Sequence, residues 1–205
     1  MGISLNSISK TFGDNIVFRD FSLEFEEGIS TCIMGASGLG KTTLLNILAG
    51  LLEADQGYIT GLEGKKLAPV FQEDRLCENL SAGANIRLAA RQKLSAKEIS
   101  DMLNILLLPS AIRQPVREMS GGMKRRVSLA RALLSGGNLF LFDEPFKGLD
   151  EETRSAVIAA VRKKLTGKTL IWVSHDLNEA NEMGSSIIRL NELMVRKQEV
   201  FSCIN

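Results

Sequence analysis

The segment from Gly35 to Thr42 carries the clearest chemistry in the chain. Its sequence, Gly-Ala-Ser-Gly-Leu-Gly-Lys-Thr, fits the pattern G-x-x-x-x-G-K-[ST] at every fixed position. Glycine lets the backbone curl until successive N–H groups point inward at phosphate oxygens. Lys41 can then reach the β- and γ-phosphates of a nucleotide, and the Thr42 hydroxyl can ligate Mg²⁺. The segment therefore predicts a phosphate-binding loop for a nucleoside triphosphate.

Two adjacent carboxylates, Asp143 and Glu144, follow the apolar run Leu-Phe-Leu-Phe at 139–142. An acidic side chain on a strand next to a phosphate-binding loop is needed to hold Mg²⁺, and Asp143 is the candidate. Glu144 is then placed to polarise the attacking water as a general base. A strand followed by an ordinary acidic turn is the alternative. The phosphate-binding loop argues against it, because that loop requires an acidic partner.

A serine and two glycines, Ser120, Gly121 and Gly122, open a predicted helix 23 residues before Asp143. Taken alone, these three residues are explained equally well as a helix N-cap followed by a flexible turn.

Strands and helices alternate around these residues, as in an α/β fold with a parallel sheet. Apolar runs and period-2 patterns predict strands at 2–9, 16–26, 31–34, 58–60, 67–71, 138–142, 169–173, 186–190 and 193–200. Helical spacing predicts helices from 41 to near Gly50 and at 84–92, 96–107, 122–134 and 151–165, with a short helix after 173. Between about 73 and 119 the pattern is mostly helical. A strand before Gly35 and a helix after Lys41 are the context that the phosphate-binding loop requires.

In this arrangement the chain resembles the ATP-binding-cassette (ABC) ATPases, because Met119-Ser-Gly-Gly-Met123 is similar to their LSGGQ signature. Gln72, in Val70-Phe-Gln-Glu-Asp-Arg75, resembles the glutamine of the family's Q-loop. Gly148-Leu-Asp150 is similar to the D-loop, and His175 to the switch histidine after the last core strand. Phe12 stands at the place of the aromatic residue that stacks on adenine.

The resemblance implies ATP and Mg²⁺ as ligands, and a set of residues for each role. The residues expected to contact the nucleotide are Phe12, Gly35, Ser37, Gly38, Gly40, Lys41, Thr42, Thr43, Ser120, Gly121, Gly122 and Asp150. The expected metal ligands are Thr42, Gln72 and Asp143, and the expected catalytic residues are Gln72, Glu144 and His175.

The resemblance also implies a fold: a P-loop NTPase with a RecA-like, mostly parallel core sheet, an N-terminal antiparallel β subdomain and a helical subdomain with the signature motif. We expect a single domain over 1–205, in which 1–72 and 136–205 form the core and β subdomain and 73–135 the helical subdomain. Two such chains are expected to enclose two ATP molecules head to tail, each signature completing the partner's site.

Composition excludes several other functions. The chain has 25 Lys and Arg against 24 Asp and Glu, so its net charge of +1 predicts no nucleic-acid partner. Four basic residues around the signature helix are therefore interpreted as a solvated face: Lys124, Arg125, Arg126 and Arg131. The three scattered cysteines indicate a reducing compartment. No run approaches the roughly 18 apolar residues of a membrane span, which predicts a cytoplasmic protein. The family resemblance implies that it lies peripherally on the inner face of the cell membrane, through a partner.

Three stretches look most like bacterial importer subunits of the nitrate, sulfonate and taurine type: 71–76, 143–146 and 174–180. Met123 and Lys147 depart from the commonest family pattern at the signature and the D-loop. The expected partners are an integral membrane permease, a second copy or a similar ATPase chain, and an extracytoplasmic solute-binding protein in the full system. An exporter or lipid-trafficking subunit, a soluble ABC ATPase of the iron–sulfur assembly type, and a nucleotide-binding module without turnover are the alternatives.

Overall fold

The computed structural model describes residues 2–193, which form two sheets and six α-helices. The strands are β1 (Ile3–Phe12), β2 (Asn15–Phe25), β3 (Ser30–Met34), β4 (Gln56–Thr60), β5 (Leu67–Val70), β6 (Leu139–Asp143), β7 (Thr169–Val173) and β8 (Ser186–Arg189). The helices are α1 (Lys41–Leu48), α2 (Ala82–Ala89), α3 (Ala96–Ile105), α4 (Gly121–Leu133), α5 (Glu151–Lys164) and α6 (Leu177–Met183), with two short 3₁₀ turns between α3 and α4. Within this range, no helix is both long enough and apolar enough to cross a bilayer.

The central sheet is parallel and has the strand order β5-β6-β7-β3-β8. Its middle strands are mostly apolar because both faces of the sheet are covered by other elements, and every residue of β6 and β7 is buried. Alternate residues of β6 enter different cores, so Leu139 and Leu141 face one side and Phe140 and Phe142 the other. Since all five strands run the same way, the residues that follow them meet at one edge of the sheet.

Two hydrophobic cores cover the faces of this sheet. One contains α1 together with the antiparallel sheet of order β2-β1-β4. The other contains α2 to α6, with Trp172 fully buried at its centre against the edge of Phe146, 5.7 Å between ring centroids. The predicted α/β architecture, with its antiparallel sheet and helical region, is therefore confirmed.

The element boundaries differ slightly from those that the sequence predicts. Helix α1 ends at Leu48, two residues before Gly50, near which the sequence predicts its end; Gly50 takes a left-handed backbone conformation (φ 67°). The first two strands each extend further around their turn, to Phe12 and from Asn15. The predicted strand at 193–200 lies outside the described residues, apart from Leu193, which is helical rather than extended.

A buried carboxyl, Glu179, supports the turn between β7 and α6. Its Oε2 accepts a hydrogen bond of 2.6 Å from the Ser174 hydroxyl, which itself accepts one from the backbone N–H of Asp176. Glu179 is 8% exposed, and burial raises its pKa above the ordinary 4.5, although the Ser174 hydrogen bond opposes the shift. The network fixes the turn on which His175 lies.

Because the folded state holds the proton of Glu179 more tightly than the unfolded chain, its contribution to stability is present below pH 4.5 and is lost as the pH rises through the folded pKa. In Glu179→Gln, we expect the free energy of unfolding to decline less steeply as the pH rises. Urea titrations between about pH 4 and pH 7 measure this free energy. Glu182→Gln, an exposed carboxyl on the same helix, is the control. An unchanged slope in Glu179→Gln would contradict the expectation.

Candidate functional site

The loop between β3 and α1 has the conformation that its glycines predict. Gly40 has φ 85°, and a Cβ there would lie 2.3 Å from Cγ1 of Val17 and 2.9 Å from Cζ of Phe18. Only glycine fits this position. No side chain of the described residues caps the N-terminus of α1, and its first turn holds no acidic residue. The first N–H groups of this helix therefore remain for an anion.

A cleft of about 360 Å³ lies over this loop, at the edge of the sheet where β3 and β6 end. It brings together residues that are distant in the sequence. The predicted site residues that line it are Phe12, Ser37, Gly38, Gly40, Lys41, Thr42, Thr43, Gln72, Asp143 and Glu144. Phe12 projects from the end of β1 and is 49% exposed, so one ring face is available for stacking.

Lys41 bends back over the loop that precedes it. Its ammonium donates hydrogen bonds of 2.8 Å to the carbonyl oxygens of both Gly35 and Ala36. The positive charge is therefore held at the centre of the loop, where an anionic ligand would meet it together with the N-terminus of α1.

Asp143 and Thr42 meet at the bottom of the cleft. The side chain of Thr42 lies beside the carboxyl group of Asp143, which is 5% exposed. Burial raises the pKa of Asp143, although the nearby Thr42 side chain opposes the shift. Oxygen donors of this kind are the ligands that Mg²⁺ prefers, so the pair fits a magnesium site.

Glu144 is held in a conformation that is rare for its residue type. Its φ of 46° lies in the left-handed region, and its N–H donates to the carbonyl of Val173 at 3.0 Å. The turn directs its side chain between His175 and Lys147. Oε1 lies 3.5 Å from Nδ1 of His175, and Oε2 lies 3.0 Å from Nζ of Lys147. The contact with Lys147 is an ion pair and not a hydrogen bond, because Oε2 is buried and has no hydrogen-bond partner of good geometry.

These neighbours set the protonation of Glu144. Burial raises its pKa, but the Lys147 ammonium and then His175 more than offset burial, so the pKa lies below the ordinary 4.5. Glu144 is therefore a carboxylate at neutral pH, as a proton acceptor must be. The Lys147 contact is a feature that sequence reasoning missed.

The residues Ser120, Gly121, Gly122 and Asp150 do not line this cleft. Ser120 and Asp150 are both N-caps: the Ser120 hydroxyl accepts from the N–H of Met123 at 3.3 Å, and Asp150 accepts from that of Thr153 at 2.9 Å. The start of α4 lies beside the D-loop, because a Cβ on Gly122 would be 3.3 Å from the carbonyl oxygen of Gly148. His175 is close to the cleft but 72% exposed in its side chain.

The interpretation of the basic residues of α4 as a solvated face is wrong for two of them. Arg125 is 3% exposed, and its guanidinium donates to the carbonyl oxygens of Phe71, Asp143 and Pro145. Arg131 donates to the carbonyl oxygens of Arg75 and Asp74, at 2.6 and 2.8 Å. Helical spacing was the missed signal, since residue 125 shares one face of α4 with buried residues 129 and 132.

A second depression, of about 330 Å³, lies between β5, α2 and α4, next to Gln72. We call it the lateral groove. Its floor is apolar, and the Arg75 guanidinium lies over the ring of Phe71, 4.0 Å from the centroid. Leu88 stands at its rim and is 67% exposed. The groove therefore combines apolar surface with arginines.

Solved structures with the same fold include a dimeric structure of MJ0796, a bacterial ABC transporter cassette. It is 28% identical, with a TM-score of 0.81, over 91% of this chain and 93% of that one. A post-hydrolysis dimer of the MJ0796 ATP-binding cassette, bound to ADP and Pi, is 27% identical, with a TM-score of 0.78 over the same shares of the two chains. An ABC transporter ATP-binding protein from Pyrococcus furiosus has a TM-score of 0.82 at 23% identity, over 94% of this chain and 98% of that one, and shows the likeness of fold alone.

The family model for ABC transporters matches residues 18–147. The match includes the phosphate-binding loop, Gln72, the signature residues and both carboxylates of the cleft. Because it spans more than half of the chain, and because the cleft has the geometry described above, this chain belongs to the ABC transporter family, of which it is an ATPase cassette.

Proposed function

We propose that this chain binds ATP with Mg²⁺ in the cleft, hydrolyses it, and thereby drives solute transport through a separate membrane permease. The observation that carries the proposal is the convergence of Lys41, Thr42, Asp143 and Glu144 on one cleft. In this proposal the loop N–H groups and Lys41 bind the β- and γ-phosphates, and Phe12 stacks on adenine.

Thr42 and Asp143 would hold Mg²⁺, with the amide oxygen of Gln72 as a further ligand. When bound, the ion neutralises negative charge on the phosphates. Thr42 and Asp143 are already in contact and Gln72 lines the same cleft, which supports this assignment.

Glu144 would accept a proton from the water that attacks the γ-phosphate. His175, beside its Oε1, would orient the carboxylate and contact the γ-phosphate. The lowered pKa of Glu144 supports this role, because it keeps the group ionised. The presence of both residues argues against a binding module without turnover.

Lys147 lowers the pKa of Glu144, so a substitution that removes its charge tests this role. We expect Lys147→Ala to raise the pKa of Glu144 towards its ordinary value and so move the acid limb of the ATPase pH profile to higher pH. Lys147→Arg keeps the charge and is the matched control. A pH profile of kcat for the three proteins measures the effect. An acid limb at the same pH in Lys147→Ala would exclude this role.

Ser120, Gly121 and Gly122 would contact the γ-phosphate bound by a second copy, or by a similar ATPase chain, with Asp150 contributing at the same interface. Their position outside the cleft supports completion in trans, as does the exposed N-terminus of α4. The dimeric form of the 28% identical cassette supports it too. ATP would then favour the closed dimer, and hydrolysis would open it.

We infer that residues 73–135 form a helical subdomain that transmits this change, and that the lateral groove binds a cytoplasmic helix of the permease. The exposed apolar Leu88 and the arginines of the groove support a partner with apolar and acidic side chains. In this proposal the chain lies at the inner face of the membrane. Sequence likeness favours an importer of the nitrate, sulfonate and taurine type, with an extracytoplasmic solute-binding protein.

Co-purification from gently solubilised membranes of the source cell tests the permease. A tagged chain, with and without ATP, is compared with Leu88→Glu in the groove and with Ile105→Glu, an exposed apolar residue of α3 outside it. We expect an integral membrane protein with several spans to co-purify with the unsubstituted chain and with Ile105→Glu. The same protein should be lost with Leu88→Glu. Recovery of soluble partners alone would favour the iron–sulfur assembly type instead.

A further inference from the structure

Arg125 is the most connected side chain around the site, and none of the roles proposed above uses it. It is the fifth residue of α4, the helix whose N-terminus carries the signature, and it is 3% exposed. A guanidinium offers five N–H donors in a rigid plane, and burying one is costly unless those donors are satisfied. Here they are satisfied by two separate segments of the chain.

One edge of the guanidinium binds the turn that carries Glu144. Nη2 donates to the carbonyl oxygens of Asp143, at 2.6 Å, and of Glu144 itself. Nε donates to the carbonyl of Pro145 at 3.1 Å. Three consecutive carbonyl oxygens are therefore fixed by one side chain, at the point where Glu144 takes its left-handed conformation.

The other edge binds the segment that contains Gln72. Nη1 donates to the carbonyl of Phe71 at 2.6 Å and pairs with Oδ1 of Asp74 at 3.1 Å. A longer contact, of 3.5 Å, reaches the carbonyl of Gln72. This segment leads from β5 to the lateral groove.

We propose that Arg125 is a positioning residue that holds Glu144 in its hydrolytic geometry and links that geometry to the Gln72 segment and to α4. The inference rests on the proposed role of Glu144 as the base. Because the left-handed backbone of Glu144 is intrinsically unfavourable, it persists only where its surroundings hold it, and Arg125 supplies three of those contacts. A displacement of α4 or of the groove therefore moves the carbonyl oxygens that orient the base.

Arg125→Lys and Arg125→Gln test the proposal. Neither side chain reproduces the planar fork, so we expect kcat for ATP hydrolysis per folded molecule to fall about tenfold. KM for ATP should stay within about twofold, because Lys41 and the phosphate-binding loop are untouched.

A double-mutant comparison separates positioning from a general structural role. If Arg125 acts through Glu144, then Arg125→Lys has no further effect in the Glu144→Gln background, as measured by single-turnover hydrolysis of radiolabelled ATP. Arg162→Lys is the matched control. Arg162 lies on α5, far from the cleft, and its guanidinium also binds a backbone carbonyl, that of Glu182. It should leave kcat and the pH profile unchanged.

Two results would overturn the proposal: a wild-type kcat in folded Arg125 variants, or an equal fall in the presence and absence of the Glu144 carboxylate. Where the Arg125 variants do not fold, Asp74→Ala takes their place, because it removes the one ion pair of the guanidinium with this segment and should lower kcat about threefold. A wild-type kcat in folded Asp74→Ala would overturn the proposal as well. Failure of the proposed function looks different, since wild type and Glu144→Gln would then hydrolyse ATP equally.

Discussion

Glu144→Gln is expected to lower the rate of ATP hydrolysis by about 10²- to 10⁴-fold while ATP binding persists. The amide has the size of the carboxylate but cannot accept the proton of the attacking water. The phosphate-binding loop and the Thr42–Asp143 pair are unchanged by the substitution. Steady-state phosphate release measures the rate, and binding of a fluorescent ATP analogue measures the affinity.

The same variant tests the dimer. With ATP and Mg²⁺ it should accumulate as a closed dimer, because the step that removes the γ-phosphate is blocked and the contacts to that group persist. Light scattering after gel filtration reports the mass. Glu53→Gln, an exposed carboxyl in the loop after α1, is the control and should behave as wild type. Hydrolysis of ATP by Glu144→Gln at the wild-type rate would contradict the role of Glu144 as the base. A monomeric Glu144→Gln in ATP and Mg²⁺ would contradict the proposal that a second copy completes the site.

Much of this site could be predicted because its residues lie directly after buried strands or in a glycine-rich loop, and the local sequence determines both features. The apolar runs at 139–142 and 169–173 have no exposed face, so they become central strands of a parallel sheet. A residue that follows such a strand lies at the carboxyl edge, which places Asp143 and Glu144 over the loop that follows β3. The glycines of that loop have the positive φ values that their spacing predicts.

The neighbours of Glu144 could not be predicted in the same way. Lys147 is three residues from Glu144, yet the two side chains meet only because the intervening turn begins with a left-handed residue. Arg125 is brought to Asp143 by the packing of α4 against the sheet, a contact between residues 18 positions apart. A run of basic residues looks solvated until the face of the helix to which each one belongs is known.

These two cations act on Glu144 in complementary ways. Lys147 sets the charge state of the carboxylate, since it lowers its pKa from the side chain. Arg125 sets the orientation of the carboxylate, since it contacts only backbone oxygens of that turn. We therefore expect their effects to separate: removal of the Lys147 charge changes mainly the pH profile, whereas loss of the Arg125 fork changes mainly the maximal rate.

Lys41→Met is expected to weaken ATP binding about 10- to 100-fold. The ammonium would give up its two carbonyl contacts, to Gly35 and Ala36, for charge-assisted hydrogen bonds to the β- and γ-phosphates. Such a bond is worth about 1.5–3 kcal/mol, which corresponds to a loss of this size. Methionine is unbranched and only one heavy atom shorter than lysine, but it carries no charge. Isothermal titration calorimetry of the nucleotide-free protein measures the change in Kd.

A comparison of ATP with AMP shows which part of the nucleotide Lys41 binds. AMP lacks the β- and γ-phosphates, so its Kd should change by less than about twofold if Lys41 acts on those groups. Lys93→Met, an exposed lysine outside the cleft, controls for the loss of one positive charge. An equal loss for ATP and AMP would mean that Lys41 acts by holding the carbonyl oxygens of the loop in place. The ammonium would then shape the cradle without binding the phosphates directly.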